Sequence, residues 1–390
     1  MSRPEIQLPE GTPPLRAFYL YVTGACNLAC RHCWITPSFL RTSDDTGEKS
    51  LPFDLFEQAI REGEPLGLTR LKFTGGEPFI HPQMRRMLDY AAARRLDVTV
   101  ETNGTLLTRE WARYLHDKTT VTFISVSLDG ATPATHDYMR GVAGSFAQAQ
   151  DGVRHLVEAG YRPQVIMSLY EGNLEEVEPL ARWAESVGCS SLKLNIIQET
   201  GRGARFKERI GEIERLIEIG RWVETELQDR ASIPIYYSWP PAFQRLRRLA
   251  HRGGCDSCDI FHILGILHTG HLALCGIGVQ DQVFVFGLLG KDRVERVWAT
   301  HPIIRQIREG LPSKLEGICG DCLFRDVCLG FCVADNYHHT RNLLAPFWFC
   351  DLADQKGLFP GLRKRTFSGG TQLDTLHHGG CKDEDKKTKI

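Results

Sequence analysis

Apolar and polar positions alternate in two rhythms between residue 16 and about residue 200, and the rhythms take turns. Short apolar or alternating runs read as strands: "RAFYLYVT" (16–23), "RLKFTG" (70–75), "DVTVETNG" (97–104), "TFISVSLDG" (122–130), "PQVIMSLY" (163–170) and "SLKLNII" (191–197). Longer segments between them read as helices: 50–67, 83–96, 108–117, 145–160 and 173–188. Ser50 is a candidate N-cap for the first of these, with Pro52 in its first turn. Six strand–helix units predict a parallel sheet with right-handed crossovers. The number suits an α/β partial (β/α)6 TIM-like barrel with its helices outside. In such barrels working groups sit at the C-terminal ends of strands. Four polar or glycine-rich segments fall on that rim: a cysteine loop after the first strand, "TGGEP" after the second, "ETNG" ending the third and "SLDG" ending the fourth.

The pattern changes after residue 200. "GRGARFKERIGEIERLIEIGRWVETELQD" (201–229) reads as one long charged amphipathic helix. Residues 254–350 hold eight of the thirteen cysteines, with short apolar runs and glycines. The last thirty residues are rich in glycine, histidine and charge and predict a disordered tail. The expected division is an N-terminal extension (1–15), a core (16–225), linker helices (226–253), a cysteine-rich domain (254–360) and the tail (361–390).

Charge narrows the function classes. Lys plus Arg is 47 and Asp plus Glu is 48. This balance supports neither a nucleic-acid footprint nor a polybasic membrane anchor. No apolar run reaches the ~18 residues of a membrane span. The N-terminus is polar and proline-rich with no apolar h-region, so a cytoplasmic location is expected. In that setting the cysteines point to metal ligation rather than disulfides.

Cys26, Cys30 and Cys33 stand within eight positions, followed by Trp34. Thiolates are soft ligands for zinc, copper(I) or iron–sulfur clusters. A zinc knuckle completed by His32 or a distant cysteine is one reading. A [4Fe–4S] cubane, which normally takes four thiolates, would have one iron left open. The spacing CxxxCxxC with a following aromatic resembles the signature of the radical S-adenosylmethionine (SAM) family. That resemblance implies that SAM chelates the open iron and is cleaved reductively to methionine and a 5′-deoxyadenosyl radical. It further implies that Gly75, Gly76 and Glu77 of "GGEP" hold the SAM ammonium group, and that Trp34, Asn103, Ser127 and Asp129 are SAM contacts. Each of the last three could equally be a cap or turn residue. Arg140, in "THDYMRG", resembles a recurring arginine of peptide-modifying members, with a structural salt bridge as the alternative.

The second cysteine set has its own pattern. Cys258, Gly270 and Cys275 are followed by Cys319, Cys322, Cys328 and Cys332 (CxxCxxxxxCxxxC), then by Cys350. This resembles the SPASM extension that follows radical SAM cores; a zinc ribbon would explain the CxxC pairs alone. Cys255 supplies an eighth cysteine. By the resemblance, Cys255, Cys258, Cys275 and Cys332 hold one auxiliary [4Fe–4S] cluster, and Cys319, Cys322, Cys328 and Cys350 hold another, three clusters in all. Cys189 is then a core residue and Cys381 incidental. His262, His268, His271, His338 and His339 are read as structural or surface residues.

The resemblance implies an oxidoreductase that abstracts hydrogen from a ribosomally made peptide or protein, giving a crosslink, an oxidation or an epimer. A small molecule such as a tetrapyrrole is the alternative substrate, and an iron–sulfur electron-transfer protein the alternative class. Sulfatase-maturing members carry an aspartate after the cysteine matching Cys275; this chain has Gly276. Implied partners are the precursor peptide and an electron donor such as flavodoxin or ferredoxin. With about fifteen residues before the first strand, leader-peptide recognition is expected to fall to a separate binding protein or to the SPASM surface.

Overall fold

The computed structural model describes residues 8–40, 49–251 and 258–365. They form two compact units, one from Met1–Ser238 with Asp259–Glu309 and one from Trp239–Cys258 with Gly310–Ile390.

The first unit is built on one ten-stranded sheet. Six strands match the expected ones: β1 (Ala17–Thr23), β2 (Arg70–Gly75), β3 (Asp97–Thr102), β4 (Val121–Ser127), β5 (Gln164–Leu169) and β6 (Ser191–Ile196). Four more strands join them: β7 (Ile235–Tyr237), β8 (Ile263–Leu267), β9 (His271–Ala273) and β10 (Val285–Leu288). The order is β10-β9-β8-β1-β2-β3-β4-β5-β6-β7, parallel from β8 to β7, with β9 and β10 antiparallel at one edge. The sheet thus extends beyond the six-stranded core read from the sequence. Residues 259–309, which cysteine spacing groups with a domain starting at 254, pack by their contacts with the first unit.

Five helices follow the expected spans: α1 (Phe53–Gly63), α2 (Met84–Ala93), α3 (Arg109–Lys118), α5 (Ser145–Glu158) and α6 (Val177–Val187). The short helix α4 (Pro133–Arg140) comes between α3 and α5. Ser50 does not cap α1. The cap position is Pro52, and Ser50 instead bridges to Thr23 as a buried residue. The long helix over 201–229 is also corrected. Residues 203–205 form a single 3-10 turn, α7 spans only Ile213–Trp222, and a π-helical turn follows at Val223–Leu227. Three glycines between 201 and 211 disfavour helix there. The expected linker helices 226–253 contain the strand β7 and a helix at Leu246–His251.

Strand alternation separates two surfaces. Phe18, Leu20, Leu71, Phe73, Val98 and Val100 are fully buried on one face. Phe73 there meets Phe56 of α1, ring centroids 6.0 Å apart. Burying each such side chain contributes about 1.5–3 kcal/mol. The opposite face carries Tyr19, Lys72, Glu101, Ser168, Lys193 and Asn195, all half-buried. Lys72 Nζ lies 2.6 Å from Glu101 Oε1 and 4.9 Å from the centre of the Tyr19 ring. Where a closed barrel packs branched apolar side chains inside, this sheet presents a polar inner surface.

The second unit contains helices Val333–Thr340 and Trp348–Gln355 and several short turns. Among the described residues no helix is long and apolar enough to cross a membrane.

Candidate active site

All the strands from β1 to β6 run the same way, so their C-terminal ends share one rim. The cysteine loop leaves β1 there. It is closed by a short parallel pairing of Ala25–Cys26 with Ser38–Phe39. "GGEP" then lies along the loop: Gly76 N donates to Thr23 O at 2.8 Å and Glu77 N to Ala25 O at 3.0 Å. A Cβ at position 76 would stand 1.8 Å from Ala25 O, so only glycine permits this approach.

Cys26 and Cys30 are buried and Cys33 is half-buried. Burial pushes the Cys26 thiol up, and the neighbouring Cys30 and Glu77 add to it. Cys30 is raised by burial too, against the pull of Arg140. Donors nevertheless converge on the sulfurs. Leu28 N reaches Cys26 Sγ at 3.4 Å, Asn103 Nδ2 reaches it at 3.9 Å, and Arg140 Nη1 reaches Cys30 Sγ at 3.7 Å. Crowded thiols facing N–H donors suit ligation as thiolates, which metal binding enforces. Among the described residues no three His, Cys, Asp or Glu side chains are spaced for a single metal ion. A cubane spreads its thiolates over separate irons, and thiols on one loop with N–H donors at the sulfurs of Cys26 and Cys30 fit such a group.

The side chains expected around SAM are largely engaged by the protein itself. Glu77 is completely buried. Its Oε1 accepts from Thr102 Oγ1 at 2.7 Å and Phe79 N at 3.2 Å, and its Oε2 from Asn103 N at 2.8 Å. Burial outweighs these donors and lifts its carboxyl to about 7. Glu77 therefore staples the end of β2 to the end of β3. Three of its roughly four acceptor sites are filled. Asn103 donates to Asn27 Oδ1 at 2.9 Å and accepts from Thr105, tying β3 to the cysteine loop. Ser127 ends β4 and is half-buried. Trp34 joins an apolar group of Tyr21, Ile35, Leu267 and Ala273, its ring edge-on to Tyr21 at 6.1 Å.

Asp129 and Arg140 pair with each other, Oδ2 to Nε at 2.8 Å, both buried. The salt-bridge alternative for Arg140 is thus present, alongside its contact with Cys30. Asp129 Oδ1 also accepts from Ser168 N at 2.8 Å, and His32 Nε2 stands 3.6 Å from Oδ2. Burial raises the Asp129 carboxyl, but Arg140, His32 and the Ser168 amide more than offset it, so its pKa lies below the ordinary range. Burial drops His32 and His136 to about 4, keeping both neutral. His136 accepts from Asp129 N at 3.2 Å.

The second cysteine set divides. Cys319, Cys322, Cys328 and Cys350 are buried and line one narrow cavity with Ile318 and Phe324. The Cys350 thiol contacts Cys319, which lowers the Cys319 pKa and raises its own. Phe347 N donates to Cys319 Sγ at 3.3 Å and Phe324 N to Cys322 Sγ at 3.4 Å. Leu329, Gly330 and Phe331, between Cys328 and Cys332, all have positive φ. Such strain concentrates at functional turns. The other four cysteines fall in separate parts of the chain. Cys275 belongs to the first unit, Cys258 and Cys332 to the second, and Cys255 lies outside the described residues. Cys381, His377 and His378 also lie outside them. Cys189 is fully buried in the core. His262 contacts Pro14 O, His271 contacts Thr269, and His339 faces Asp335 and Trp348.

Gly276 follows Cys275, and a Cβ there would stand 2.3 Å from the Tyr21 ring and 2.6 Å from Trp34. The position has no room for an aspartate. Sequence reasoning missed Arg202, which reaches the cysteine loop from the segment after β6; its signal was a G-R-G triplet at the same rim.

The sequence model of the Radical SAM superfamily matches residues 20–184. The AdoMet-dependent heme synthase of Methanosarcina barkeri is 30% identical over 84% of this chain and 94% of its own length. The antilisterial bacteriocin subtilosin biosynthesis protein AlbA of Bacillus subtilis is 32% identical over 85% of this chain and 70% of its own. Among solved structures, Streptococcus suis SuiB bound to the precursor peptide SuiA superposes with a TM-score of 0.67 at 16% identity, covering 87% of this chain and 76% of that one, a likeness of fold. With the cysteine loop, the GGEP turn and the four-cysteine cavity in place, the chain belongs to the radical SAM superfamily, as an enzyme with a SPASM-type auxiliary region.

Proposed function

We propose that the protein cleaves SAM at Cys26, Cys30 and Cys33 and abstracts hydrogen from a ribosomally made peptide, leaving a crosslink, an oxidised residue or an epimer. When bound, a [4Fe–4S] cluster supplies the electron that splits SAM into methionine and the 5′-deoxyadenosyl radical. The observation that carries this reading is convergence on one rim. Three thiols, the GGEP turn, Asn103 and the Asp129–Arg140 pair come from four different strand ends and touch one another. Arg140 puts a fixed positive charge beside Cys30, which favours its thiolate. Gly75, Gly76 and Glu77 frame the turn, Asn103 stands at its border, and Ser127 ends the fourth strand on the same rim.

Cys319, Cys322, Cys328 and Cys350 would hold a second cluster, and Cys255, Cys258, Cys275 and Cys332 a third. A flavodoxin or ferredoxin would serve as the electron donor. The hydroxyl, amide and charged groups of the inner sheet face suit a peptide, whose backbone needs hydrogen-bond partners when bound. The biosynthetic role in AlbA's name and the peptide bound to SuiB support this substrate class.

A second reading is favoured by one observation, the 30% identity to a heme synthase across 94% of that protein. Its substrate would be a tetrapyrrole. Incubating reconstituted protein with SAM, reductant and either a precursor peptide encoded beside its gene or a propionate-bearing tetrapyrrole separates the two. Loss of two hydrogens from the peptide, or solvent deuterium gained by it, supports the first reading. Modification of the tetrapyrrole alone overturns it.

A further inference from the structure

The turn from Cys30 to Cys33 is weakly closed by its own backbone, since Cys33 N reaches Cys30 O only at 3.4 Å. Two segments grip it from outside. The end of α4 takes one side: Ala29 N donates to Arg140 O at 3.0 Å and Arg31 N to Met139 O at 2.9 Å. The loop after β6 takes the other, through a single residue. Arg202 Nε donates to Cys30 O at 2.7 Å, and Arg202 N donates to Cys33 O at 2.8 Å. The neighbouring Gly201 lies so close that a Cβ there would stand 2.4 Å from Trp34 O and 2.7 Å from Cys33 O. Arg202 thus satisfies the carbonyls of both cysteines and sets the distance between them. Its Nη2 is buried with no hydrogen-bond partner among the described residues. A buried donor without an acceptor is costly, and the loop keeps this one beside the Cys30 carbonyl that its Nε holds.

We propose that Arg202 is a positioning residue for the SAM-cleaving centre: it clamps the Cys30–Cys33 turn so that both thiolates face one cluster. The inference rests on the reading of Cys26, Cys30 and Cys33 as cluster ligands. A guanidinium suits the task because its planar fork fixes direction as well as charge. Lysine would bring charge without the fork.

Iron retention tests this. In anaerobically reconstituted Arg202→Gln, a chelator is expected to strip about four irons, one cluster, roughly tenfold faster than from the parent, the scale of one lost charged hydrogen bond. The remaining irons should leave at the parental rate. Arg202→Lys should fall between the two. Arg209→Gln, in the same loop and paired with Glu199, should behave as the parent. In the metal-free protein, alkylation of Cys33 should accelerate in Arg202→Gln while the melting temperature stays at the parental value. Parental release and labelling rates in Arg202→Gln would overturn the proposal. So would equal acceleration for every iron together with a lower melting temperature, the mark of a merely structural role. A triple Cys26→Ala, Cys30→Ala, Cys33→Ala variant that keeps the full parental iron would instead overturn the ligand reading beneath it.

Discussion

Replacing Asp129 with asparagine removes one charge from a pair that has almost no access to water. Asp129 is completely buried and the Arg140 side chain is 8% exposed, with 2.8 Å between Oδ2 and Nε. At an effective dielectric of ~20, two charges that close attract by about 6 kcal/mol. Most of that gain offsets the cost of taking both ions from water. The substitution forfeits the attraction and keeps half the cost, because Arg140 remains buried and charged. The asparagine Oδ1 can still accept from Ser168 N, so the loss falls on the arginine side. Breaking a buried pair this way costs about 3–5 kcal/mol. Urea titration of the metal-free protein should show that loss in the transition of the first unit. Arg140→Gln should cost a similar amount, and the double variant less than the sum by about 2 kcal/mol or more. The pH dependence has a definite sign. The folded carboxyl lies below its ordinary value, so its stabilisation is complete above the unfolded pKa of about 3.9. It is lost as pH falls through the lower folded value. The gap between parent and Asp129→Asn should therefore close only in strong acid. A cost below about 1 kcal/mol, or strict additivity of the two substitutions, would refute the argument that the pair acts as a unit.

Glu77 predicts the opposite slope. Its folded pKa is raised to about 7, so the folded state holds a proton that the unfolded chain has released above about 4.3. Stability should fall as pH rises from there through about 7, and Glu77→Gln should remove that segment of the pH–stability curve measured by urea titration. For Gly276, an added side chain meets the rings of Tyr21 and Trp34. Gly276→Asp should destabilise the first unit by about 1–3 kcal/mol, and mass spectrometry should detect no formylglycine on a Cys- or Ser-type sulfatase peptide with either form; efficient conversion by the unaltered protein would show that the base comes from elsewhere.

Six strands were legible because each is a compact apolar run between turn residues, and five helices because their spans are long. The strand "ILGIL" (263–267) is just as apolar, with every residue buried. Cysteine spacing on either side drew it into another domain, and its pairing with β1 across more than two hundred residues leaves no local trace. The helix α4 is short and buries two polar side chains, His136 and Arg140, so it lacks an apolar stripe. At the site, spacing identified the thiols and the GGEP turn. What each polar group does depends on which strand ends meet. Glu77 reads as a free carboxylate until Thr102 and Asn103 arrive from β3. Arg202 was hidden by the charged, helix-like run that contains it, where only the flanking glycines mark a loop. The cavity shared by Cys319, Cys322, Cys328 and Cys350 groups residues up to 31 positions apart, a grouping that followed from family resemblance and not from spacing.

The central claim is that this chain uses its first three cysteines to cleave SAM, and 5′-deoxyadenosine reports on it directly. Anaerobically reconstituted protein should hold about twelve irons, four per cluster. Reduced with dithionite in the presence of SAM, it should release 5′-deoxyadenosine even without a substrate. The variant with Cys26, Cys30 and Cys33 all changed to alanine should retain about eight irons and release none. A preparation that binds only zinc, or a triple variant that still makes 5′-deoxyadenosine, would contradict the account.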